Sequence, residues 1–357
     1  MRHKILAQYA MMALRLLLTV MPVILFLSAC KNTPHEVQDT RFIMGTMVSF
    51  MIIADQDTAE NAIVEAANTM QDIEHAMTIY GNEKNAVKRF NHAEPEQTIT
   101  LPPSVDSLLQ MSHAVSLQTD GAFSASLGML SLLWGFSLPK MPITPPSPRV
   151  IAKIMASKPA NCLSRVGVQQ WQRSNSQCVI DLGGIAKGYA LDQGMKVLKS
   201  WGIADAMINA GGDIRIMGMH GERPWRIGIR DPRHNDKVIG VLALSGDKSV
   251  VTSGDYERFF MLDGRRYHHI LDPKTGYPVM RVQSSTIVAS TASKADVWST
   301  ALFVAGSRLL ATLEKTDMMA LVVDAKGRIH AEQKMRQHLQ LKPSYSIVRI
   351  TKMSMGK

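Results

Sequence analysis

The chain predicts an α+β domain, with mixed sheets and helices packed on them. Strand-like stretches come in consecutive runs with helical stretches between the blocks, whereas a doubly wound sheet alternates strand and helix one by one. Of the 357 residues, 46% are apolar, the ordinary share of a globular protein and enough for one large core. No short-period repeat breaks the pattern.

The first segment stands apart. Arg2, Lys4 and Arg15 precede "LLLTVMPVILFLSAC", an apolar stretch interrupted by Pro22 that ends in small residues before Cys30. A basic start, a short apolar centre and a small-residue end are the anatomy of a secretory signal, here residues 1–29. An uncleaved membrane anchor is the alternative, for which the run is short and broken. Residues 30–40 are polar and read as a tether, leaving 41–357 as the folded domain.

Inside the domain, "TRFIMGTMVSFMII" is strand-like, with Gly45 marking a bulge or a close backbone approach. Ile63, Ala66, Ala67, Met70, Ile73 and Met77 keep a helical period, with Asp57 or Thr58 as cap. A second helix starts at Ser104, after two prolines, and runs to the "TDG" at 119–121. Five prolines within 139–148 make "LPKMPITPPSPR" an extended surface connection, and Ser147-Pro148 can cap and open a short helix. Residues 163–180 read as a hairpin turning near Ser174. "CVIDL" is an apolar strand that runs into Gly183-Gly184 and a helix with Ala190, Leu191, Met195, Leu198 and Trp201 on one side. Strands then dominate: "AMINAGGDIRIMG", "WRIGIR", "VIGVLAL" and the hairpin "ERFFMLDGRRYHHIL", whose Asp263-Gly264 is a strong turn signal. The strand "SSTIVAS", the helix "SKADVWSTALFVAG", a short helix from Ser307 and a hairpin around "DAKG" complete the domain.

Formal charge is +10; the first 29 residues carry three bases and no acid, so +7 remains beyond them. The bases are scattered without interleaved aromatics, which argues against nucleic acid as a partner and suits anionic small ligands or lipid headgroups. Cys162 and Cys178 could pair in an oxidising compartment. The hairpin reading sets Gln170 rather than Cys162 opposite Cys178, so the pairing stays open.

Three stretches could carry chemistry. "DLGGIAKGYALD", residues 181–192, fits no Walker or dinucleotide-binding formula. Free amides in the first turn of its helix, with Lys187 beside them, could nonetheless hold an anion; a glycine turn that lets helix and strand pack closely is the alternative. In "SKADVWSTALF", Asp296 and Thr300 lie one turn apart on one helix face, with Ser299 next to them but facing partly away. A carboxylate plus neutral oxygens suits magnesium, while an acidic first turn stabilised by the helix dipole is the plainer reading. In "RYHHILDPKTGYP", His268 and His269 leave opposite faces of a strand and cannot readily share one metal; one could be a base and the other exposed. Asp272 can bond back to its own loop, and the Gly-Gly turn of "NAGGDI" is most simply structural.

Taken jointly, "MGT" at 44–46, "DGAF" at 120–123 leading to "LWGF", "DLGGIAKGYALD", "NAGGDI", "SGDYERFF", "YHHILDPKTGYP" and "ADVWSTALFVAG" resemble the ApbE family of flavin transferases over nearly the whole mature chain. The resemblance implies a two-lobed domain with the flavin site between lobes. It implies magnesium-dependent transfer of FMN from FAD to a threonine or serine of a client protein, with release of AMP. Flavin contacts are expected from Met44, Tyr80, Ala122, Phe123, Ser124, Asp181, Lys187 and Leu271. Magnesium ligands are expected from the Gly184 carbonyl, Asp296, Thr300 and Ser299, whose position is a ligand in some members. Lys187 and Asp296 carry charge in the reaction, and His269, matching the family's H-x-x-D-P pattern, is the candidate base. The family's usual clients are subunits of membrane redox pumps. "LSAC" resembles the lipobox of bacterial lipoproteins, which implies a lipid on Cys30 and a place on the periplasmic side of a membrane. Ser124 and Ser126 depart from the family's usual Asp and Thr. Magnesium-dependent hydrolysis of FAD to FMN and AMP, and FAD binding without chemistry, are the rival readings.

Overall fold

The computed structural model describes residues 34–348 apart from 83, 139 and 158. The signal segment and Cys30 lie outside the described residues, among which no helix is long and apolar enough to cross a membrane.

The chain begins with two antiparallel strands, β1 (His35–Ile43) and β2 (Thr46–Ala54). Two expectations are corrected here. The tether ends before residue 40, because 35–40 already belong to β1. "TRFIMGTMVSFMII" is a hairpin rather than one bulged strand: Met44 and Gly45 both take positive φ, 55° and 67°, the two-residue turn whose twist suits a hairpin.

Helix α1 (Gln56–Met77) follows, capped by Asp55, whose carboxylate accepts the Thr58 N–H, rather than by Asp57 or Thr58. Next come α2 (Ala86–His92), β3 (Ile99–Thr100), α3 (Pro103–Gln118), α4 (Gly128–Trp134), α5 (Pro148–Ala156), β4 (Leu163–Gly167) and β5 (Gln170–Arg173). The hairpin therefore turns at 168–169, not near Ser174. Ser174 instead donates its N–H to the Cys162 carbonyl, and a second turn, closed by Cys178 N–H to Asn175 O, carries Cys178 back to Cys162. The two cysteines are joined by a disulfide. Its sixteen-residue separation corresponds to about 3 kcal/mol of loop-closure stabilisation. The double change Cys162→Ser, Cys178→Ser is expected to lower the unfolding free energy by about that amount in a denaturant titration; an unchanged midpoint would show that the link is dispensable.

Helix α6 (Ala186–Ser200) leads into β6 (Asp205–Ala210), β7 (Asp213–Met217), β8 (Trp225–Arg230), β9 (Val238–Leu244), β10 (Lys248–Gly254), β11 (Phe259–Leu262), β12 (Arg265–His268) and β13 (Val282–Ala289). The chain closes with α7 (Ala292–Ala305), α8 (Leu310–Leu313), β14 (Met319–Asp324), β15 (Ile329–Ala331), α9 (Gln333–His338) and β16 (Leu339–Leu341).

Strands β1-β2-β6-β7-β10-β13-β14-β15 form one sheet. Helices α1, α6 and α7 cover one face through Ile63, Met70, Leu191, Leu198, Leu302 and their neighbours. The sheet β16-β9-β8 packs on the other, where Trp225, Ile227 and Leu242 meet Ile216, Val288 and Leu321. Both faces are apolar because a helix layer and a second sheet each cover one. A smaller cluster joins α4, α5 and the β11–β12 hairpin around Trp134, whose ring stacks on Phe136 and Tyr267. This second lobe abuts the loop at 272–278, since Trp134 donates its indole N–H to the Gly276 carbonyl. The fold is the expected α+β architecture.

Candidate functional site

Helices α6 and α7 cross closely at a glycine. A methyl group at Gly188 would stand 2.3 Å from the Ala292 carbonyl oxygen, so only hydrogen fits. The contact brings the Gly188 N–H to 2.9 Å from Oδ2 of Asp296, which is buried. Burial first, and then the Asp213 carboxylate, push the Asp296 carboxyl up to about 7, against the pull of Lys187 and the Gly188 amide. One turn on, the Thr300 hydroxyl lies 3.4 Å from Ser253 Oγ. Thr300 also faces Gly184, where a Cβ would meet its Oγ1 at 3.6 Å and the Phe123 ring at 3.0 Å. Thr300, Gly184 and Phe123 are therefore close neighbours, with Asp296 one turn before Thr300 on α7. The Ser299 hydroxyl is engaged elsewhere, donating to the Asp296 carbonyl at 2.9 Å and lying 2.8 Å from Ser253 Oγ.

Lys187 pairs with Asp213, Nζ to Oδ2 at 2.7 Å. Burial opposes its charge, but Asp213 and then Asp296 outweigh that and raise its pKa, so it is a cation at neutral pH. A third of its side chain (33%) stays open, so an anion can reach it. Asp213, only 3% exposed, accepts the Thr252 N–H with its other oxygen. The sequence reading took its "NAGGDI" turn as structural and missed the carboxylate; an acidic residue directly after a Gly-Gly turn between apolar runs was the available signal.

The expectation that α6 offers free amides to an anion needs correction. Gly183 N–H bonds Asp181 Oδ1, Ile185 and Ala186 bond the Leu182 carbonyl, and Gly188 bonds Asp296. Most of the first turn is thus satisfied internally. Nor is "CVIDL" a regular strand: it touches Leu127 through a single parallel bridge at Val179, and Asp181 N–H donates to the Ala125 carbonyl at 2.7 Å. That places Asp181 beside the 122–126 segment. Within it, Ala122 and Phe123 are buried, and Ser124 Oγ lies 2.9 Å from Ser126 Oγ, which donates to the Pro159 carbonyl.

Arg258 gathers the remaining candidates. Its guanidinium donates to Ser137 Oγ at 2.7 Å and stands 3.6 Å from where a Cβ would lie on Gly45. Met44 N–H is held by Glu74 Oε2 at 2.7 Å. The Tyr80 phenol is pushed up to about 12, by burial and then by Asp181, and so stays protonated. The Arg258 carbonyl accepts the His269 N–H. Burial, then His268, Arg258 and Lys187, hold the His269 ring down to about 3; it is neutral, and its buried Nδ1 has no hydrogen-bond partner. His268 is buried rather than exposed, donating from Nε2 to the Val279 carbonyl at 2.6 Å. Leu271 is buried in the second lobe's apolar cluster.

The donor set suits a hard divalent cation: a carboxylate whose charge is resisted by burial, a hydroxyl one turn away and the main chain of Gly184 beside it. Such an ion would offset the burial and the Asp213 charge that raise the Asp296 pKa. Among the described residues no group of three His, Cys, Asp or Glu side chains could hold a metal, so this set relies on neutral oxygens.

The architecture is that of the solved ApbE proteins. The structure superimposes on the flavin transferase ApbE from Vibrio cholerae with a TM-score of 0.75 at 26% identity, covering 86% of this chain and 100% of that one. The ApbE protein from Thermotoga maritima matches with a TM-score of 0.75 at 34% identity, over 85% and 99% of the two chains. The chain belongs to the ApbE family, whose sequence model matches residues 44–322. It is also 34% identical over 248 residues to the FAD:protein FMN transferase of Rhodobacter capsulatus, which covers 68% of this chain; the chain spans about half that relative's length, 47%.

Proposed function

We propose that this protein is an FAD:protein FMN transferase, moving FMN from FAD to a threonine or serine hydroxyl of a client protein and releasing AMP. The observation that carries the reading is the junction of α6 and α7: a buried carboxylate, a threonine hydroxyl one turn away and an accessible lysine meet at a glycine opening. Asp296, Thr300 and the Gly184 carbonyl would hold magnesium, with Ser299 beside them. When bound, the ion supplies positive charge against the diphosphate, usually the main aid to phosphoryl transfer.

The chain's own residues account for the rest. Lys187, held by Asp213 and open on one side, adds a cation for the diphosphate. Met44, Tyr80, Ala122, Phe123, Ser124, Asp181 and Leu271 would contact the flavin, as the family resemblance implies. The client oxygen forms a bond to the FMN phosphorus as the bond from phosphorus to the AMP oxygen breaks. His269, neutral and with Nδ1 unpartnered, takes the hydroxyl proton. A depressed pKa makes it a weak base on its own, and a diphosphate's negative charge acts to raise it.

Supporting a place outside the cytoplasm are the signal-like segment 1–29, the lipobox-like end at Cys30 and the disulfide between Cys162 and Cys178. The lipobox-like "LSAC" supports a lipid-anchored position on the periplasmic side of a membrane, and the family resemblance supports clients among subunits of membrane redox pumps.

The deciding experiment incubates the mature domain with FAD, magnesium and a client fragment bearing an acceptor threonine, then measures client mass and free AMP. Flavin on the client is expected, with one AMP released per flavin attached. AMP without client modification would make the protein an FAD diphosphatase, and neither product would make it a carrier.

A further inference from the structure

A transferase that acts on proteins must hold a macromolecule beside its small-molecule site, and one arm of the second lobe has the composition for that. Residues 121–180 contain six Lys or Arg and no Asp or Glu. Two of the bases are used internally: Arg165 pairs with Asp106, and Arg173 bonds the Ala93 and Cys178 carbonyls. Lys140, Arg149 and Lys153 are exposed, and among the described residues none is in an ion pair.

All three lie on the proline-rich connection and α5, between Ser137 and Pro159. Both ends of this arm are fixed to the site. Ser137 Oγ accepts from Arg258, beside the Met44–Gly45 turn, and the Pro159 carbonyl accepts from Ser126, beside Ser124. Helix α5 rests on the loop after His269, since Ile151 and Met155 close over Gly276. The arm also exposes Leu138 (42%), Ile143 (75%) and Val150 (42%). Three large apolar side chains exposed within thirteen residues of chain, alongside three cations without ion pairs among the described residues, suit a surface that docks a partner. Proline fixes much of the connection in an extended form, which lowers the ordering cost of binding.

We infer that this arm docks the client, and that the segment it takes is acidic, with apolar residues set against Leu138, Ile143 and Val150. The inference rests on the transferase reading and adds the chemistry of the partner. A patch of one sign steers an oppositely charged segment and rejects a like-charged one. Its place at both ends of the site would deliver an acceptor hydroxyl next to the residues gathered by Arg258.

The test uses the full mature chain and two short dye-labelled peptides, identical around an acceptor threonine and flanked either by Asp and Glu or by Lys. Binding is read by fluorescence anisotropy, and flavin attachment separately by mass. The wild type is expected to bind the acidic peptide at least about tenfold more tightly at low salt, with the gap narrowing as salt is raised. The triple variant K140E, R149E, K153E should lose or invert that preference, while FAD binding, followed by flavin fluorescence, stays unchanged. Should the triple variant fold poorly, the single changes K140Q and R149Q are expected each to weaken acidic-peptide binding and its salt dependence. Equal binding of the two peptides, or a preference that survives the charge reversals, overturns the inference. So does binding to phosphatidylglycerol vesicles that the triple variant loses, with no peptide preference, since the arm would then face lipid. A binding preference with no flavin on any peptide would instead sink the transferase reading and leave the docking surface standing.

Discussion

Replacing Asp296 by Asn is expected to slow AMP release from FAD by about 10³-fold, equivalent to about 4 kcal/mol of transition-state stabilisation. The amide keeps the shape of the carboxylate, and its oxygen can still accept the Gly188 N–H. The Lys187–Asp213 pair is left intact, so the fold should change by no more than about 1 kcal/mol. What is lost is the single full negative charge in the donor set, and magnesium affinity measured by calorimetry should fall with the rate. Undiminished turnover in this variant would remove the proposed metal site.

The same carboxyl sets a pH dependence. Its folded-state pKa is raised from the ordinary aspartate value to about 7, by burial and then by Asp213. The folded state therefore holds more protons than the unfolded one between those values, and metal-free stability falls as pH rises through that window. Asn at 296 should flatten that slope. Magnesium competes with the proton for the same oxygens, so the acid limb of activity should move to lower pH as magnesium is raised.

Gly188→Ala is expected to destabilise the protein by about 3 kcal/mol and to suppress turnover with it. The added methyl would meet the Ala292 carbonyl oxygen at 2.3 Å, its carbon at 2.6 Å and Asp296 Cβ at 2.8 Å. Two of these atoms are backbone of α7 and cannot rotate away, so the helices must part and carry Asp296 from Gly184. Gly194, six residues further along α6, gives the contrast. There a methyl would meet chiefly the flexible Met70 side chain at 3.0 Å, and Ala is the better helix former by about 1 kcal/mol. Thermal unfolding of the two variants should separate them clearly; equal midpoints would show that the close crossing does not constrain the fold.

The motifs were legible because their neighbours in space are also near in sequence, or lie on a helix of fixed period. Asp296 and Thr300 share a face by the geometry of α7, and Gly184 and Lys187 open α6. Partners from distant strands were not readable: Asp213 reaches Lys187 only because β7 lies in the main sheet beside that helix. The hairpin at Met44 was hidden by a non-glycine residue at positive φ, within a stretch that alternates like one strand. The cysteine pair was hidden by a second turn at Asn175, which the first hairpin's register could not foretell. The amides of α6 looked available from the glycines alone, and the carboxylate that takes one of them lies more than a hundred residues away.

With a lipid on Cys30, as proposed above, the early start of β1 would limit how far the folded body strays from a bilayer. From Cys30 to His35 is five residue steps, at most about 18 Å of chain when fully stretched. With lipid on Cys30, the enzyme would ride almost flush against the headgroups, sweeping a thin layer in which a membrane-bound client is met by lateral diffusion rather than by search through a volume.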